Sequence, residues 1–548
     1  MTAPWKSLRD SSQADRRADV IVIGAGAAGQ SVAKRLAMSN VDVLLVEAGP
    51  AAETHRKSQE VLQAAMPAVH GQYPDFGGHL LMNLGGSIGK PQMPMSADGS
   101  APPEGIRLAK MEVADLADWP IEREELDDYY ELVSSWFGLS WDHHLPQFDD
   151  PRLRTAAFQV VSRRTFSHPT PEHLEGVRVL LDAPVSKLDA DAAGRITGAE
   201  VSTSSGETHS LQADTFVLAM NTMPATQLLL HSGLAKESGV LGHYLMDHPL
   251  VTFGYIEPAA DLPREILDPL TPTPIDNGLW WPKLIPDQDA VANDEGVNLA
   301  MTLIPLKWGV RRNLARHRVL KPVVVGARTG AKHSFDRVVD SARKKNFNRD
   351  FARDVMTSAK GIDELAHIKF RPKGPEFNLE SGWWKDTLQQ GLPKTFELAA
   401  MTQQRGRFEN HVQLSDERNS LGWRKLRANW QYSIEDKMLV DQAASPIIDA
   451  LDDAGFGDFT LIDPKNHTEN YSCHHASGTI RMSADSSSGV VDPDCRSFEH
   501  DNLYVASMAV FPSVGFANPT LTIMAIAARI ADHITADRSA ENDVQRVI

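Results

Sequence analysis

Eleven residues near the start of the chain, Asp19-Val-Ile-Val-Ile-Gly-Ala-Gly-Ala-Ala-Gly29, constrain its fold more than any other stretch. Val20 to Ile23 is a short apolar, β-branched run, the composition of a buried parallel strand. Gly24, Gly26 and Gly29 follow with G-x-G-x-x-G spacing. The first glycine allows a tight turn, the second lets the backbone approach a pyrophosphate, and the third lets a helix pack on the strand. Ala27 and Ala28 fill the gap between the last two glycines. A helical pattern runs from Gln30 to Ala37, and its first amides and dipole suit an anion. A second strand, Val41 to Val46, ends in Glu47 and Ala48. That acid stands near the ~20-residue offset at which a carboxylate accepts hydrogen bonds from a ribose diol. Strand, glycines, helix, strand and acid in order predict a dinucleotide site. The motif alone does not separate FAD from NAD.

The chain has 548 residues, enough for two domains. At 42% hydrophobic and 23% charged it has the composition of a soluble globular protein. Its two cysteines, Cys473 and Cys495, give no disulfide framework and no metal-ligand cluster. A net charge of −17 disfavours nonspecific nucleic-acid binding. No apolar run approaches the ~20 residues of a membrane span. The first ten residues hold no apolar signal core. The expectation is a cytoplasmic protein with a polar N-terminal arm over residues 1–18.

Four regions read as parts of one nucleotide-binding domain. The first is the βαβ unit. The second is a glycine-rich loop, Asn83-Leu-Gly-Gly-Ser-Ile-Gly89, whose Gly85, Gly86 and Ser87 amides suit a phosphate or a flavin ring. The third runs from the apolar strand Val177 to Val185, across a polar hairpin excursion at Asp189–Gly206, to Thr215-Phe-Val-Leu-Ala219, and then into a helix from Pro224. The fourth is a strand, Asn502 to Ala506, then a loop and a helix from Thr520. Between 255 and 465 the composition shifts to prolines, tryptophans and alternating strands. A basic stretch, Lys307 to Arg353, reads more readily as a solvated helical excursion than as a lid or docking patch.

Near the end stand His475-Ala-Ser-Gly-Thr479 and Asn518-Pro-Thr-Leu-Thr522. These segments, the N-terminal unit, Leu84-Gly-Gly-Ser87, Asp118 to Tyr130, Gly242-His-Tyr-Leu-Met-Asp-His-Pro249, Arg481-Met482 and Gly489-Val-Val-Asp492 together resemble the glucose-methanol-choline (GMC) oxidoreductases, which bind FAD. Asp118-Trp-Pro-Ile and the ending from Asn502 are most similar to the pyranose oxidase and sugar dehydrogenase branch. The resemblance implies an α/β chain: a Rossmann-type FAD-binding domain (19–254 plus 466–548) and a second α+β substrate domain on an antiparallel sheet (255–465). It adds Val185, Ala219, Ser507, Met508, Asn518, Pro519 and Thr520 to the expected cofactor contacts. Lys90 stands where some members carry an attaching histidine, so noncovalent FAD is expected. Ala219-Met-Asn221 and Ser507 depart from the family's usual residues.

Oxidising an alcohol requires a base for its hydroxyl proton and an acceptor for the hydride, here flavin N5. Histidine titrates near pH ~6.5 and fits the base role. The family pair implies His475 as that base and Asn518 as the amide that orients the alcohol. His474 should point elsewhere on an extended segment, and His248 reads as structural. Thr520 is expected to cap the last helix, with the helix's positive end near the flavin pyrimidine. The pairs Trp280-Trp281 and Trp383-Trp384 read first as packing and second as sugar contacts. Gln403, Gln404 and Glu397 are weaker candidates for hydroxyl recognition. The expected activity is FAD-dependent oxidation of a sugar, glycoside or polyol, with oxygen, a quinone or another carrier as acceptor. Alternatives are a flavin-containing lyase and a noncatalytic flavoprotein; an NAD-dependent dehydrogenase would not need the C-terminal pair.

Overall fold

The computed structural model describes residues 5–49, 105–315 and 394–547, less short stretches at 117, 140, 142–145, 163–168, 170, 203–206, 276–277, 294–295, 307–308, 419–421, 467–468 and 472–474. The Asn83–Gly89 loop, Lys90, the Trp383-Trp384 pair, His474, Cys473 and nearly all of the basic 307–353 segment lie outside the described residues.

In chain order the strands begin β1 (Trp5–Ser7), β2 (Arg17–Ile23), β3 (Val43–Val46), β4 (Gly105–Leu108), β5 (Leu153–Ser162), β6 (Val177–Leu181), β7 (Val185–Ala190), β8 (Ile196–Ser202) and β9 (Thr208–Leu218). They continue with β10 (Leu250–Pro258), β11 (Thr273–Ile275), β12 (Gly278–Pro286), β13 (Leu299–Leu306), β14 (Thr395–Thr402), β15 (His411–Arg418), β16 (Arg424–Asn429), β17 (Gly457–Leu461), β18 (Glu469–Tyr471) and β19 (Leu503–Val505). The longer helices are α1 (Ala27–Met38), α2 (Asp127–Trp136), α3 (Thr222–Ser232), α4 (Ile434–Asp453) and α5 (Thr520–Val547).

The first sheet has the order β1-β6-β3-β2-β9-β8-β7, with β19 added alongside β9. β1, β6, β3, β2, β9 and β19 run parallel, and β7 and β8 form the antiparallel excursion. β2 is central because its residues are apolar on both faces: Val20, Ile21 and Val22 are fully buried. Each such side chain contributes about 1.5–3 kcal/mol by leaving water. α1 and α5 pack against each other, and Arg35 of α1 grips Asp532 of α5 at 2.7 Å.

Residues 1–18 are not a polar arm throughout. Trp5–Ser7 extends the first sheet as a parallel edge strand on β6, Leu8 is fully buried, and β2 already begins at Arg17. Three residues with one apolar member carry no period, so only the long-range pairing with Val179–Leu181 reveals this strand.

The second sheet is antiparallel, in the order β17-β10-β14-β13-β12-β5-β4, with β11 on β12 and β18 on β10. It recruits β4 and β5, which lie in the stretch expected to serve the nucleotide domain. β14 alternates across this sheet. Phe396, Leu398 and Ala400 pack with Val440, Ala444 and Ile447 of α4. Met401 packs instead with Trp281, Phe158 and Met246 in the core shared with the first sheet. The second sheet therefore turns one face toward the nucleotide half, as the period of two requires.

Candidate active site

The glycine loop has the shape its spacing predicts. Gly24 has φ +105°, a conformation L side chains rarely adopt, and an added Cβ would stand 2.8 Å from the Ala219 carbonyl oxygen. A Cβ on Gly29 would stand 1.8 Å from the Gly24 carbonyl oxygen, so only glycine lets α1 close on the turn. Gly26 is different: a Cβ there meets nothing within 4 Å. That open side lies at the start of α1, where no side chain caps the amides of Ala27 and Ala28. Uncapped amides beside an open glycine suit a pyrophosphate. Ala219, at the end of β9, packs on both Gly24 and Gly29.

Glu47 is buried and lies against the same loop. Its Oε2 accepts from the Ala25 amide at 3.1 Å and its Oε1 from the Gly49 amide at 3.0 Å. Burial pushes its carboxyl up to about 7, against the lowering by the amides of Gly49, Ala25 and Ala48. Hydroxyl donors from a ribose would compensate that burial, so the acid, the cradle and the open face fit a dinucleotide together. Val185 opens β7 just beyond Ala183, whose amide donates to the Glu47 carbonyl.

The candidate reaction end is assembled from three distant stretches. The segment from His475 is laced between two others. Ser477 and Met246 exchange backbone hydrogen bonds at 3.0 and 3.1 Å. On the other side, Gly478, Ile480 and Met482 donate to the carbonyls of Met508, Ala509 and Val510. Gly478 has φ +87°, and a Cβ would stand 2.3 Å from the Tyr244 carbonyl oxygen, so the lacing requires glycine there. Ser507 accepts from the Ala509 amide and holds the 508–510 turn.

His475 meets His248, which sequence reasoning set aside as structural. His248 Nε2 contacts His475 Nδ1, and the rings stand edge to face with centroids 4.6 Å apart. His248 Nδ1 lies 3.1 Å from the Gly515 carbonyl oxygen. The ring is fully buried, which holds its pKa down at about 4; the Lys283 cation lowers it further and the Gly515 hydrogen bond raises it. Asp247 accepts the amides of both His248 and His475. The contact between positions 248 and 475 has no local signature, although both lie in motifs that carry the family resemblance.

Gly515 leads to Asn518, Pro519 and Thr520. Asn518 is 9% exposed, and its Oδ1 has no hydrogen-bond partner among the described residues. Thr520 is the first residue of α5, and Ile523 donates to the Pro519 carbonyl, so Pro519 rather than Thr520 occupies the capping position. Gln404 and Gln403 are committed to structure. Gln404 accepts from the Asp247 amide and from Trp430, and Gln403 accepts from the Asn298 amide. Glu397 accepts the Thr252 hydroxyl at 2.5 Å. Trp280 and Trp281 are buried at 2% and 4% exposure, which favours packing for the pair.

A family model described as GMC oxidoreductase matches residues 407–527, which span His475 and Asn518, and one described as pyridine nucleotide-disulphide oxidoreductase matches residues 18–248. The C-terminal part of this chain is therefore similar to the GMC oxidoreductases. FAD is the dinucleotide that this similarity supports. The chain is 22% identical to the fructose dehydrogenase large subunit of Gluconobacter japonicus over 378 residues, 66% of this chain and 54% of that one. It is 33% identical to the C-glycoside 3-oxidase of Microbacterium trichothecenolyticum over 128 residues, 21% of this chain and 23% of that one. The chain thus matches about half, or less, of the length of these curated relatives. A solved FAD-dependent oxidoreductase from Chaetomium thermophilum shares the fold, with a TM-score of 0.51 and 14% identity, covering 95% of this chain and 100% of that one.

Proposed function

We propose that this protein is a GMC-type, FAD-dependent oxidoreductase that removes hydride from a CH–OH group of a sugar, glycoside or polyol, giving a ketone or aldehyde. One observation carries the reading: His475 is tied through His248 to the turn that bears Asn518, whose buried amide keeps an unmet polar atom. The one hydroxyl hydrogen goes to His475, so the amide meets the substrate oxygen through its NH2, the two ends of the Asn518 amide being interchangeable. Bound FAD supplies the hydride acceptor at N5. His475 accepts the hydroxyl proton as general base, and Asn518 holds the same oxygen in line. The substrate class draws support from the sugar and glycoside named in the two curated relatives. Lys90 in place of an attaching histidine supports noncovalent FAD. The electron acceptor would be oxygen, a quinone or another carrier.

The test is anaerobic. Purified holoenzyme mixed with a panel of sugars, glycosides and polyols should lose its flavin absorbance with at least one of them. Flavin that stays oxidised while substrate is consumed would instead identify a lyase. Acid precipitation should release the flavin into solution, and flavin retained in the pellet would refute noncovalent attachment.

A further inference from the structure

A neutral imidazole acts as a base only from the nitrogen that lacks hydrogen, and the hydrogen bond made by one nitrogen decides which that is. The contacts around His475 determine this. Gly515 offers a carbonyl oxygen, which only accepts, so His248 Nδ1 carries a hydrogen and donates across 3.1 Å. Burial keeps His248 neutral above about pH 4. Its Nε2 then presents a lone pair to His475 Nδ1. Two lone pairs cannot face each other, so His475 Nδ1 holds the hydrogen and His475 Nε2 is the basic atom.

We propose that His248 is a positioning residue that fixes the tautomer of His475, with Gly515, so that the substrate proton enters at His475 Nε2. This rests on the reading of His475 as the base. In the step the substrate O–H bond breaks and an Nε2–H bond forms, while the carbon releases its hydride to the bound flavin. The resulting imidazolium keeps its Nδ1–H directed at His248, which accepts without taking charge. Asp247 ties the backbones of both histidines through their amides, so the two rings stay in register. Among the described residues, the charged and titratable groups around His248 are His475, Asp247, Lys283 and, behind Gly515, Asp115. The arrangement follows the logic of a base oriented by a third group, with a neutral imidazole in place of the usual carboxylate.

The test uses holoenzyme labelled with ¹⁵N-histidine, with the His475 signals assigned by His475→Ala. At pH 8 the wild-type ring should show hydrogen on Nδ1 and none on Nε2. His248→Gln places an amide oxygen where Nε2 stood and should keep both this tautomer and a flavin-reduction rate within about tenfold of wild type. His248→Met removes the acceptor and should shift the tautomer and slow flavin reduction by at least about 10²-fold, with little change in KM. Hydrogen found on Nε2 of wild-type His475 would overturn the proposal, as would His248→Met with an unchanged tautomer and rate. If His248→Met does not fold, the wild-type spectrum still decides. Wild-type rates in His475→Ala would instead sink the base assignment itself.

Discussion

The nucleotide cradle comes from one continuous stretch, Val20 to Gly49, and works through backbone: amides at the start of α1, a glycine turn and an acid held by two amides. The proposed reaction end draws on Met246–His248, His475–Met482 and Gly515–Asn518, and would work through side chains. Backbone-built sites fail when an atom is added; side-chain-built sites fail when one is removed. The same contrast governs where each half is exposed to mutation.

His475→Ala is the largest test of the contrast. It should keep FAD and lose about 10²–10⁴-fold in the rate of flavin reduction, measured by anaerobic stopped flow. An unchanged rate would remove the base from the side-chain end. Asn518→Ala should lose about 10²–10³-fold in the same measurement, the scale of removing one oriented donor. At the backbone end, two glycines sharpen the comparison. Gly29→Ala should cost about 1–3 kcal/mol in thermal unfolding and also lose FAD, because its Cβ collides with a main-chain oxygen. Gly26→Ala should leave apoprotein stability within about 0.5 kcal/mol, because the Cβ meets nothing, yet retain less FAD after dialysis. Equal FAD content in Gly26→Ala and wild type would mean that the open face does not hold the pyrophosphate.

Glu47 gives the smallest and most pH-dependent effect. Its folded pKa, about 7, lies above its ordinary value. The unfolded chain therefore releases the proton first as pH rises. The stability this group supplies is full below its ordinary value and is lost as pH climbs through about 7. Glu47→Gln should flatten that part of the apoprotein's melting-temperature profile, leaving the part due to Asp115, which burial also pushes up to about 7. Ribose hydroxyls donating to the ionised form reverse the trend for the cofactor. FAD retention should weaken from pH 7 to pH 5 in wild type, and Glu47→Gln should be weaker at pH 8 but indifferent to pH.

The contrast also explains what was legible in the sequence. Val20–Glu47 could be read because strand period, glycine spacing and acid offset are local signals. His475 and Asn518 could be read from their motif context. The His248–His475 contact joins positions 227 residues apart and leaves no periodic trace. β4 and β5 went to the second sheet because antiparallel partnership is decided by distant strands, β12 above all. Gln403 and Gln404 looked available for substrate until their amides were found spent on Asn298, Asp247 and Trp430.

α5 begins two residues after Asn518 and lies along α1, whose first turn borders the glycine loop; Arg35 and Asp532 clamp the two rods together. A single strut thus spans from the proposed phosphate cradle to the amide proposed to hold the substrate hydroxyl. Emptying the cradle would slacken that strut at its far end as well, so a flavin-free chain should handle its alcohol poorly even before any electron is asked to move.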